Sequence, residues 1–146
     1  MNVIRPWLYI SNYRTSIDRT FIQQHQIKAM LHLVENVTHP NVETLYMPIE
    51  DGVPTVPAEI ERGVNFIVEQ HQRNHPILVA CGAGMSRSAA FTAAGLHLIE
   101  GISLWEALKI VKKAHDPAFP AFKLWRSFCE YYGEPYTHEM LLAIVK

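Results

Sequence analysis

Apolar residues fall along this chain in two patterns that alternate. Short runs come first: WLYI around Leu8, AMLHLV from Ala29, TLYMPI from Thr44 and ILVA from Ile77. The last is continuously apolar, as in a strand buried on both faces. In the third, Leu45, Met47 and Ile49 alternate as one inward face. Between the runs the spacing is helical. Asp18 to Gln26 is a weak helix. Ile60, Val64, Ile67 and Val68 follow an i, i+4, i+7, i+8 stripe, with Pro57 well placed near its start. Ala89 to Ile99 is apolar nearly all round and predicts a central, buried helix. Ser103 and Glu106 have capping-box spacing ahead of Leu104, Leu108 and Val111. Leu124, Trp125, Phe128, Cys129 and Tyr132 form a last stripe. Strands alternating with helices predict an α/β fold with a central, mainly parallel sheet of four to five strands and helices on both faces. No repeat, low-complexity tract or linker interrupts the pattern, so residues 1–146 are read as one domain.

Composition narrows the function. Hydrophobic residues make up 49% and charged residues 18%, an ordinary globular mixture, and the formal net charge is −1. That balance offers no basic track for nucleic acid and no basic face for a membrane surface, so neither is an expected partner. Two cysteines, Cys81 and Cys129, are too few for a disulfide framework. The opening MNVIRPWLYIS lacks the basic and long apolar segments of a signal peptide, and no apolar run is long enough to span a bilayer. A cytoplasmic protein is expected.

The chemistry concentrates in LVACGAGMSRSAAF, residues 78–91. The apolar run stops at Cys81, a nearly bare loop follows, and Arg87 opens what reads as a helix. This places a strand, a tight loop and a helix N-terminus at the carboxyl edge of the sheet, where ligands bind in open α/β folds. Gly82 and Gly84 permit conformations in which successive N–H groups point inward. Such a nest, formed by Gly82, Ala83, Gly84, Met85, Ser86 and Arg87 with the first helical turn, binds an oxyanion. Arg87 adds a planar fork for two phosphate oxygens. The same positive field favours thiolate over thiol at Cys81.

Cys81, five residues, Arg87 and Ser88 resemble the signature loop of the cysteine-dependent protein phosphatases, and CGAGMSRSA most resembles their dual-specificity branch. PWLYISN and IKAMLHLVE are similar to that branch's first strands, YMPIEDG to the strand and loop carrying its general acid, and EIERGVNFIVEQ and SLWEALKIVKKA to the helices flanking the signature. The resemblance implies a protein tyrosine phosphatase-like fold and a two-step reaction. Cys81 would attack phosphorus and form a phosphocysteine. Arg87 and the N–H groups of residues 82–87 would hold the equatorial oxygens. Asp51 would protonate the departing oxygen and then deprotonate the water that releases phosphate. Ser88 would hydrogen-bond the Cys81 sulfur. No metal or other cofactor is implied, and the expected partners are phosphorylated proteins or peptides and phosphate-like anions.

Several alternatives stay open at this stage. Glu50 rivals Asp51 as the acid, and Asp51 could instead cap the loop before Pro54. Ser88 could be only a helix-start residue. His71 and His75 have the i, i+4 spacing of a metal pair, but nothing completes a cluster, and they are read as exposed. Cys129 is read as core. The family's histidine before the nucleophile is replaced here by Ala80. Two functions follow from that departure: an active phosphatase acting on phosphotyrosine and on phosphoserine or phosphothreonine, or a catalytically weak phosphate-binding pseudophosphatase that recognises phosphorylated partners. No lysine or arginine lies between Cys81 and Arg87, which argues against inositol phospholipids. The loop HDPAFPAF is expected to line the cleft, with Phe119 or Phe122 as an aromatic wall.

Overall fold

The computed structural model describes residues 2–146. Five strands form one sheet: β1 (Asn2–Arg5), β2 (Leu8–Ser11), β3 (Ala29–His32), β4 (Glu43–Tyr46) and β5 (Ile77–Ala80). The spatial order is β1-β2-β5-β3-β4, with β1 antiparallel to β2 and every other pair parallel. The signature strand β5 is therefore central, and its residues are fully buried, as the continuous apolar run requires. β1 is an edge strand that the sequence pattern did not reveal, because Pro6 separates it from the stronger run that follows.

Helices cover both faces unequally. α1 (Tyr13–Ser16) and α2 (Arg19–Gln24) lie on one side, where Ile22 packs with Tyr9, Met30 and Leu78 in a small core. The larger core lies on the other side, beneath α3 (Pro57–Gln72), α4 (Arg87–Glu100), α5 (Leu104–Ala114), α6 (Phe122–Tyr132) and α7 (His138–Val145). Pro57 is the first residue of α3, where its missing N–H costs nothing. Ser103 caps α5 by accepting from Glu106 N at 3.0 Å. α4 is buried along most of its length and starts at Arg87, as expected.

Two strands are shorter than their apolar runs. β3 ends at His32 because the ring Nδ1 accepts from the N–H groups of Val34, at 3.3 Å, and Glu35, at 3.1 Å, drawing the chain into a turn. β4 ends at Tyr46, yet Met47 N still donates to His32 O and Ile49 N to Leu33 O. The inward alternation of Leu45, Met47 and Ile49 thus outlasts the strand: Met47 is buried and the other two pack against the same core. The expectation that His71 and His75 are exposed is corrected. Both are half-buried. The His71 ring packs against Trp7, tilted by 37° with centroids 4.0 Å apart, and His75 Nδ1 sits 2.6 Å from Gln70 Oε1. Neighbouring side chains claim both rings.

Candidate active site

Residues 81–86 leave β5 at the carboxyl edge of the sheet and enter α4. The loop is held from outside through its carbonyl groups. Tyr13 N donates to Gly82 O at 3.0 Å, and Phe119 N donates to Met85 O at 2.8 Å. His115 Nε2 lies 2.7 Å from Gly84 O. A trans peptide points its N–H opposite to its C=O, so each outward carbonyl aims the next residue's N–H towards the inside of the loop. Gly84 has φ +72°, and a Cβ there would stand 2.9 Å from Asn12 N and from the Ser11 carbonyl carbon. Both backbone conformation and the close pass over the end of β2 require glycine at this position.

The loop encloses a cleft of about 200 Å³. Cys81 and Arg87 line it together with the loop residues Ala83, Met85 and Ser86, and Asp51, Phe119 and Ala121 complete the lining. Cys81 Sγ is 3.2 Å from Ser88 Oγ. In the neutral pair the thiol donates; a thiolate accepts only, and the Ser88 hydroxyl then becomes the donor. Arg87 Nη1 donates to Ile49 O at 3.0 Å, which holds the guanidinium over the loop near Gly82. Its Nε is buried without a hydrogen-bond partner.

Ser86 has a larger part than the sequence suggested. Its hydroxyl donates to Asp51 Oδ1 at 2.7 Å and accepts from Ala121 N at 2.8 Å. It therefore makes no side-chain cap on α4, and the first N–H groups of that helix are left for a ligand. Glu50 is exposed and does not line the cleft. Phe119 is the aromatic wall. Phe122 instead meets His138 edge-on at 5.3 Å. Cys129 is fully buried in the main core, and burial pushes its thiol up to about 12. His115 and His32 were not singled out by the sequence. His115 belongs to the loop expected to line the cleft. His32 lay hidden in an apolar run.

A buried thiol at the start of a tight loop between the central strand and α4, at the carboxyl edge of this sheet, belongs to a protein tyrosine phosphatase-like α/β fold. Residues 8–134 match the family described as dual specificity phosphatase, catalytic domain, and the chain belongs to that family. Dual specificity protein phosphatase 19 of Mus musculus is 27% identical over 128 residues, covering 82% of this chain and 56% of that protein. Human dual specificity protein phosphatase 22 is 27% identical over 135 residues, covering 90% of this chain and 73% of that protein. The chain thus spans little more than half of the first relative, and 20% of human dual specificity protein phosphatase 16. Among solved structures, human DUSP28 superposes with a TM-score of 0.84 at 23% identity, covering 91% of this chain and 96% of that one. A mouse protein solved in complex with zinc tungstate gives 0.82 at 25% identity, covering 89% and 84%. No described helix is long and apolar enough to cross a membrane.

Proposed function

We propose that residues 1–146 act as one catalytic domain that hydrolyses phosphomonoesters on phosphorylated proteins or peptides. Phosphotyrosine is the principal substrate, and phosphoserine and phosphothreonine are also admitted. The observation that carries this reading is the arrangement of Cys81, Arg87 and Asp51 around one cleft whose loop N–H groups are aimed inward. The orphaned Arg87 Nε supports it, because a phosphate oxygen supplies the acceptor that the protein does not.

In the first step the Cys81 thiolate attacks phosphorus. An S–P bond forms, the P–O bond to the leaving group breaks, and Asp51 gives its proton to the departing oxygen. In the second step water attacks phosphorus, its proton passes to Asp51, and the S–P bond breaks to release phosphate and thiolate. Arg87 and the N–H groups of Gly82, Ala83, Gly84, Met85, Ser86 and Arg87 stabilise the equatorial oxygens in both steps. Ser88 donates to the sulfur as it leaves. Phe119 and Met85, 37% and 42% exposed, present apolar surface at the mouth. This surface suits an aryl leaving group, while the short loop leaves the cleft shallow enough for smaller phosphoresidues.

Ala80 favours a second reading, a weakly active phosphate-binding protein that recognises phosphorylated partners. A phosphopeptide panel separates the two. Phosphate release that Cys81→Ser abolishes supports the enzyme; phosphopeptide binding without release supports the second reading.

A further inference from the structure

His115 reaches the phosphate loop from the segment between α5 and α6. It is only 6% exposed, its Nε2 lies 2.7 Å from Gly84 O, and its Nδ1 meets the side-chain oxygen Oδ1 of Asn2. A carbonyl oxygen can only accept, so the proton in this bond belongs to His115 Nε2. Gly84 has φ +72°, which glycine adopts freely, and a Cβ there would stand 2.9 Å from the backbone of Asn12 and Ser11. The next peptide N–H, that of Met85, lies on the opposite side of the plane from the held carbonyl.

We propose that His115 is a positioning residue: its Nε2–H fixes the Gly84–Met85 peptide so that the Met85 N–H faces the bound oxyanion. The inference rests on the reading of the loop as an oxyanion site. Two other loop carbonyls are held by backbone N–H groups, from Tyr13 and Phe119. At Gly84 a side chain supplies the donor, so this anchor can be removed by substitution while the main chain is kept. Burial pushes the proton affinity of the ring down. Its other nitrogen, Nδ1, faces a second acceptor, the Asn2 side-chain oxygen.

Inorganic tungstate titrated calorimetrically into the full chain tests this. Wild type binds tungstate, and phosphate competes. His115→Leu keeps the bulk but not the donor, and binds about 3- to 10-fold more weakly, the worth of one net hydrogen bond. His115→Gln restores a donor and returns affinity to within about twofold of wild type. Unchanged affinity in the leucine variant overturns the proposal, as does a glutamine variant as weak as the leucine one. Wild type that fails to bind tungstate removes the oxyanion site itself, and with it the phosphatase reading. Nitrogen NMR of the wild-type histidines gives a check independent of variant folding: the proposal requires the proton on His115 Nε2, and a bare Nε2 contradicts it.

Discussion

Ser86 donates a 2.7 Å hydrogen bond to Asp51 Oδ1. The loop between β5 and α4 therefore also fixes the Asp51 carboxylate that lines the same cleft, and Ala121 N, donating to the same hydroxyl, ties in the segment before α6. Asp51, the loop and the segment before α6 are held as one unit, although residues 51, 86 and 121 are far apart in the chain.

Asp51→Asn should reduce kcat/KM for a phosphoserine peptide by about 10²–10⁴-fold, the usual contribution of a positioned general acid. It should affect nitrophenyl phosphate far less, because that leaving group needs little protonation. Ser86→Ala keeps the acid but frees it, and should cost up to roughly 10-fold on the poor leaving group, in line with up to about 1.5 kcal/mol for one net hydrogen bond. Steady-state rates on both substrates check this. An equal loss on both in Asp51→Asn means that Asp51 is not the acid, and Glu50→Gln is then the variant to compare.

His32 makes stability depend on pH. The ring is fully buried, and burial pushes its pKa from 6.5 to about 4. Nδ1 accepts from two backbone N–H groups and Nε2 faces Ser16 Oγ at 3.0 Å, so the folded ring is neutral. The unfolded chain takes up a proton below about 6.5 and the folded chain only near 4. Stability is therefore complete above the unfolded value and is lost as pH falls through this window. The loss reaches about 3 kcal/mol, at about 1.4 kcal/mol per pH unit. Urea unfolding at pH 7 and pH 4.5 should show it. His32→Asn keeps an acceptor near Val34 and Glu35 but does not titrate, and should flatten much of the slope. An equally steep slope in that variant would assign the acid sensitivity to other groups.

Gly84 and Gly101 separate backbone strain from crowding. Both have positive φ, +72° and +67°, but a Cβ at Gly101 meets nothing within 4 Å whereas one at Gly84 meets backbone at 2.9 Å. Gly101→Ala, at the end of α4, should cost about 1 kcal/mol from conformation alone. Gly84→Ala should cost clearly more in thermal unfolding and should weaken tungstate binding, which Gly101→Ala should leave intact. Equal costs would mean that the loop yields to the extra methyl group.

The sheet and its main helices were legible because their periods are strong: ILVA as a buried strand, the stripe from Ile60 as α3, and the small-residue run from Ala89 within α4. Much of the cleft lining was legible too, since Cys81, Ala83, Met85, Ser86 and Arg87 lie within one short stretch. Elements too short to show a period went unseen, as with α1 at four residues. So did α7, whose apolar end carried no recognised stripe. Side-chain bonds between distant segments left no local trace. Nothing near Ser86 signals Asp51, and nothing near His115 signals Gly84. His32 reads as a polar intrusion in a strand until its ring is seen to terminate that strand.

The central claim is covalent catalysis by Cys81, and rapid acid quench during turnover of an aryl phosphate tests it most directly. Mass spectrometry of the quenched protein should find one phosphoryl group on the peptide containing Cys81. Cys81→Ser should carry none and release no phosphate above background, yet still bind tungstate because the nest is intact. Phosphate release persisting in Cys81→Ser, or wild-type turnover with no phosphoryl group ever found on Cys81, would contradict the account.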